Sequence, residues 1–125
     1  MGASRIALWR ALLAIAAVTA CVMAFLPEAP HLPGEPSDAL LHALAFGVLA
    51  LLSRMAFPAA AARSIAACLA ALGLGIEGVQ LIPVLGRDAS LVDWAIDIAA
   101  SAFVLIALSL FGLGKTSRDL GASGA

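Results

Sequence analysis

The sequence predicts an all-α membrane protein, a bundle of four transmembrane helices with both termini in the cytoplasm. Three observations carry this. Of 125 residues, 63% are hydrophobic and only 12% charged, against about a quarter charged in a soluble domain, and mean hydropathy is +1.08. Apolar stretches of the length a bilayer crossing needs, about 20 residues, occur four times between short polar breaks. Arg5, Arg10, Arg54, Arg63, Lys115 and Arg118 fall at breaks on one side and Arg87 alone on the other, an asymmetry that marks the Arg-rich side as cytoplasmic.

Four crossings fill residues 1–113 as one membrane domain and leave 114–125 as a tail, so any function resides in the bundle. A net charge of -1 without a Lys/Arg run excludes nucleic acid as a partner.

The first helix is expected over 6–26, which at ~1.5 Å per residue spans about 31 Å. Trp9 then lies at the headgroups and Arg10 snorkels toward them. Val18-Thr-Ala-Cys21 resembles a lipoprotein cleavage box, but Val22-Met-Ala-Phe-Leu26 stays apolar beyond it, so an uncleaved helix is expected rather than a signal peptide. Pro27, Pro30, Pro33 and Pro36 forbid helix in the following connector, where His31 reads as a solvated loop residue. Ser37 or Asp38 caps a second helix over 39–57 with Arg54 at its charged end. A third runs over 64–82 to Pro83 and a fourth over 91–113, with Trp94 as a second headgroup anchor and a tail expected to be disordered. Cys21 and Cys68 fall toward opposite faces of the bilayer, beyond the ~7 Å reach of a disulfide. Small residues at spacing four (Ala43 and Gly47; Ala67, Ala71 and Gly75; Ala95 and Ala99) are expected at helix contacts.

Glu28, Glu35, Asp38, Glu77, Asp88, Asp93 and Asp97 all fall on the side of Arg87, and only Asp119 falls on the cytoplasmic side with the other basic residues. Asp38/His42, Glu77/Gln80 and Asp93/Asp97 are each three or four residues apart, so each pair shares one face of its helix. Six residues from Pro83 back to Glu77, six from Leu91 to Asp97 and four from Asp38 to His42 give depths of about 9, 9 and 6 Å. The pairs therefore occupy one shallow layer. A carboxylate at mid-membrane costs roughly 2.5 to 3.5 kcal/mol, so several together require partners.

One reading is structural: Arg87 neutralises a carboxylate, Ser90 caps the fourth helix in a capping-box arrangement with Asp93, and Gln80 completes hydrogen bonds. The other is functional. Acids outnumber bases, which calls for a protonated carboxyl or a bound cation, and His42 beside Glu77 or Asp93 suits acid/base chemistry. The candidate binding set is Asp38, His42, Glu77, Gln80, Arg87, Ser90, Asp93 and Asp97, with His42, Glu77 and Asp93 the catalytic candidates. No metal and no cofactor are assigned. A His plus carboxylates suits a divalent ion, but a local motif such as His-x-x-x-His is lacking.

The ordered set Asp38-x-x-x-His42-x-x-x-Phe46, Glu77-x-x-Gln80 and Arg87-x-x-Ser90-x-x-Asp93-x-x-x-Asp97 resembles the VanZ-like family over residues 38 to about 101. These are small bacterial membrane proteins whose named member is associated with reduced susceptibility to the glycopeptide antibiotic teicoplanin. Two positions depart from the family pattern: Ala39 stands where Lys is usual and Asp97 where Asn is usual, which makes this layer more acidic. The resemblance implies a multi-pass protein of the bacterial cytoplasmic membrane. Its outward polar site is expected to bind a lipid headgroup, a lipid-linked cell-wall component or an amphiphilic antibiotic. An intramembrane acid/base or metal-dependent enzyme and a non-catalytic scaffold subunit are the alternatives.

Overall fold

The computed structural model describes residues 2–27, 34 and 36–112. His31, Glu28, Glu35 and the expected disordered tail lie outside the described residues. Within them the chain is all-helical: α1 (Ala3–Phe25), α2 (Asp38–Ala56), α3 (Ala62–Gln80) and α4 (Leu91–Leu110). All four helices are long and apolar enough to cross a membrane.

The boundaries shift by up to three residues from those the sequence suggests, for local reasons. α1 begins at Ala3 rather than at Ile6 because nothing in Ala3-Ser-Arg opposes helix. Ser37 is the cap of α2, accepting from the Leu40 amide at 3.2 Å. α3 stops at Gln80, short of Ile82, because the residue before a proline is driven extended, and Ile82 is extended at φ -71°, ψ 116°. A single 3-10 turn, Pro83–Leu85, follows and ends on Gly86 in the left-handed region at φ 59°. α4 ends at Leu110, and Gly112 at φ 71° takes the left-handed position just past the end that a side chain would resist.

Interhelical bonds fix an up-down-up-down arrangement. At one end Arg10 Nε donates to the Ala56 carbonyl at 3.3 Å and stacks 5.1 Å from the Phe57 ring, joining the start of α1 to the end of α2. Arg54 is buried there and donates to the Ala60 carbonyl at 2.7 Å. At the other end Gln80 Nε2 donates to the Ala24 carbonyl at 3.0 Å, joining the ends of α3 and α1. Gln80→Leu should therefore lower stability by about 1 kcal/mol and raise hydrogen exchange at the end of α1, read by mass spectrometry in micelles.

The core forms where Phe46, Leu49 and Ala50 of α2 meet Ile65, Leu69 and Ile76 of α3 and Leu105 of α4. α1 has no fully buried residue and lies against the side of α2 and α3. Leu8, Ile15, Val18, Val48, Leu74, Phe103 and Ile106 stay exposed on the outside, an apolar jacket suited to lipid tails.

The small-residue expectation fails on two helices. Ala67, Ala71 and Gly75 of α3 and Ala95 and Ala99 of α4 all face outward. The inward line on α3 carries Ile65, Leu69, Gly73, Ile76 and Gln80, and on α4 Asp97, Ser101 and Leu105. Of the expected positions Gly47 meets a neighbour, with Val104 of α4 at 3.6 Å from its would-be Cβ. In so alanine-rich a chain, spacing of small residues does not select a face. Trp94 makes an interhelical contact: its Nε1 donates to the Ala70 carbonyl of α3 at 2.9 Å. Both cysteines are free, as expected.

Candidate functional site

The end of the bundle opposite Arg10 and Arg54 holds the polar layer. Glu77, Gln80 and Asp97 are buried, while His42, Arg87, Ser90 and Asp93 are half-buried and Asp38 is exposed. A ring nitrogen of His42 and one carboxylate oxygen each from Glu77 and Asp93 lie within 4.8 Å of one another. α2, α3 and α4 thus each contribute one member.

Each member is held by a specific bond. His42 Nδ1 lies 2.9 Å from Asp97 Oδ1, whose side chain is 0% exposed. Ser90 caps α4 by accepting from the Asp93 amide at 3.2 Å. The capping box is completed from another helix. The Ser90 amide, which an acid three residues on would usually receive, donates instead to Glu77 Oε2 at 2.5 Å. Glu77 thereby ties α3 to the first turn of α4, where a carboxylate also opposes the positive end of the helix dipole. Among the described residues its other oxygen, Oε1, has no hydrogen-bond partner, and neither has Asp97 Oδ2 nor Ser101 Oγ.

Arg87 forms no ion pair with a carboxylate among the described residues. Among the described residues the one ion pair is His42 with Asp97. The Arg87 side chain instead borders two adjoining cavities. The larger, about 460 Å³, runs between α1 and α2 along apolar groups such as Ala16, Ala20, Met23, Ala45 and Leu49. The smaller, about 220 Å³, is polar and bounded by Gln80, Asp88 and Asp93. Asp38, His42 and Arg87 line both, so the apolar groove and the polar pocket adjoin at these three side chains. Comparison with known proteins adds no relative to this geometry. No family model, curated protein or solved structure matches the chain.

All eight sequence candidates thus lie in or beside this layer, in three groups: the His42/Glu77/Asp93 cluster, the Asp97 and Ser90 supports, and the Asp38/Arg87/Gln80 rim. Sequence reasoning missed Ser101 and Gly73. Ser101 is 2% exposed one turn below Asp97, and the spacing Asp93, Asp97, Ser101, Leu105 marks a single face that would have found it. Gly73 permits the close approach of α4 to α3, since a Cβ there would lie 2.8 Å from Asp97 Oδ2 and 3.1 Å from Trp94. No local signal separates it from Gly75 or Gly78, which meet nothing within 4 Å.

Proposed function

We propose that this chain is a VanZ-like protein of the bacterial cytoplasmic membrane that binds a lipid headgroup, a lipid-linked cell-wall component or an amphiphilic antibiotic at an outward-facing polar site. The observation that carries the reading is the pair of adjoining cavities, one apolar along α1 and α2 and one polar, which share Asp38, His42 and Arg87. That division matches a molecule with a hydrocarbon tail and a polar head, the tail against apolar groups and the head among polar ones. Arg87, without a carboxylate partner among the described residues, supplies anion attraction at the junction. The basic residues Arg5, Arg10, Arg54 and Arg63 stand at the other end of the bundle, which the positive-inside rule assigns to the cytoplasm, so the pocket opens outward.

The test uses the full chain in nanodiscs of zwitterionic lipid, with phosphatidylglycerol as the anionic probe and native mass spectrometry as the readout. Arg87→Ala should weaken retention of phosphatidylglycerol about 10-fold, the worth of one charge-assisted contact, and leave phosphatidylcholine unchanged. Ala20→Phe, which fills the groove, should reduce retention of both. Equal retention by the parent chain and both variants would sink the reading.

A second reading, acid/base catalysis on such an amphiphile, draws support from the His42/Asp97 bond, which orients an imidazole as a general base is oriented. Turnover of a labelled lipid-linked precursor separates it from binding alone.

A further inference from the structure

We propose that His42, Glu77 and Asp93 form a site for one divalent transition-metal cation, Zn2+ or Mn2+, at the mouth of the bundle. One donor atom from each lies within 4.8 Å of the other two. Ligand atoms of a tetrahedral ion with bonds of about 2.1 Å stand about 3.4 Å apart, so small side-chain rotations draw the three onto one ion.

Crowded acids alone would not make a site, and the second observation is the state of Glu77. Its side chain is 4% exposed. One oxygen accepts from the Ser90 amide, and Oε1 has no hydrogen-bond partner among the described residues. A buried carboxylate oxygen without a donor is costly. A cation bound between Glu77, Asp93 and His42 satisfies it and offsets the repulsion between the two acids.

His42 is prepared for the same role. With Nδ1 bonded to the buried carboxylate of Asp97, the nitrogen left to coordinate is Nε2. This is the carboxylate–histidine pairing that orients metal-bound imidazoles. Asp97 stays outside the ligand set and fixes the ring.

The donor set selects the class of ion. Imidazole favours Zn2+ and its neighbours over Mg2+ and Ca2+, two carboxylates extend the range to Mn2+, and no thiolate joins the cluster to favour Cu(I). Three protein ligands leave positions open on the side of the polar pocket that His42 and Asp93 share with Arg87. An anionic oxygen entering there meets the metal and the guanidinium together. Cation binding does not depend on the amphiphile and is tested without one.

The experiment takes the full chain, stripped with chelator in zwitterionic nanodiscs, and dialyses it against Zn2+ or Mn2+. Bound metal per chain is read by inductively coupled plasma mass spectrometry and affinity by calorimetry. One equivalent per chain is expected, with affinity at least 10-fold lower in Glu77→Gln and in Asp93→Asn. Glu77→Gln keeps a carbonyl oxygen for the Ser90 amide, so its helicity should match the parent chain. Zn2+ should raise the melting temperature of the parent protein and not that of this variant. A folded parent chain that retains no metal overturns the proposal, and so do parent-like affinities in both variants.

Discussion

His42→Leu should destabilise the protein by about 3 to 4 kcal/mol, within the usual range for removing one partner from a buried ion pair. Asp97 is 0% exposed, and His42 is its sole hydrogen-bond or ion-pair partner among the described residues. Leu at position 42 leaves that carboxylate without a donor in an apolar surround. The penalty is bounded by the work of protonating an ordinary carboxyl at neutral pH, about 4 kcal/mol, and it should shrink as pH falls. An ordinary interhelical hydrogen bond in a membrane averages about 0.6 kcal/mol, so the stranded charge dominates the effect. The discriminating experiment is therefore the double variant. His42→Leu with Asp97→Ala removes the charge together with its partner and should recover most of the loss, less about 1 kcal/mol for the void. Reversible unfolding in mixed micelles reads both values. A double variant as unstable as His42→Leu would show that the imidazole contributes through its shape and not through Asp97.

Gly73→Leu should be the most damaging single change on α3, costing about 3 kcal/mol or more, at the upper end for overfilling a close-packed interior. Its Cβ alone would sit 2.8 Å from Asp97 Oδ2, 3.1 Å from Trp94 Cδ1 and 3.4 Å from Phe46 Cζ. Trp94 is anchored through its indole to Ala70 and Asp97 through His42, so neither can withdraw without breaking a bond. Gly73→Ala meets the same atoms with less bulk. The helix propensity of Ala returns up to about 1 kcal/mol, so a net loss of 1 to 2 kcal/mol is expected. Gly75→Ala and Gly78→Ala meet nothing within 4 Å and should be neutral or slightly stabilising. Thermal unfolding of the four variants in one detergent gives the ranking. Equal stability of Gly73→Ala and Gly75→Ala would mean that α3 and α4 do not approach through Gly73.

The polar layer could be read from the sequence because depth along a helix follows from counting residues. Glu77 lies six residues before Pro83 and Asp97 six after Leu91, and the structure places both at the same end of the bundle as His42. Ser90 was recognisable as a cap for the same local reason. The identity of the acid that completes that cap was not. Asp93 is the local candidate, yet Glu77 takes the Ser90 amide from thirteen residues away, because the turn at Pro83–Leu85 folds α3 back beside the start of α4. Of the two readings the sequence allows for Arg87, pairing with a carboxylate is not seen among the described residues, and the side chain lines the two cavities.

The sequence by itself determined that there are four apolar helices, where polar breaks end them and which ionisable groups share a depth. Each of these depends only on composition and on rise per residue along a single helix. Tertiary structure alone decided which way each helix is rotated, and hence that Gly73 rather than Gly75 meets α4, that Trp94 reaches Ala70, and that His42, Glu77 and Asp93 converge. The physical reason is that lipid tails are as apolar as leucine, so hydrophobicity does not distinguish the inward face of a membrane helix from the outward one. Rotation is set instead by close fit and by polar groups finding one another across helices, and both exist only once the helices are assembled.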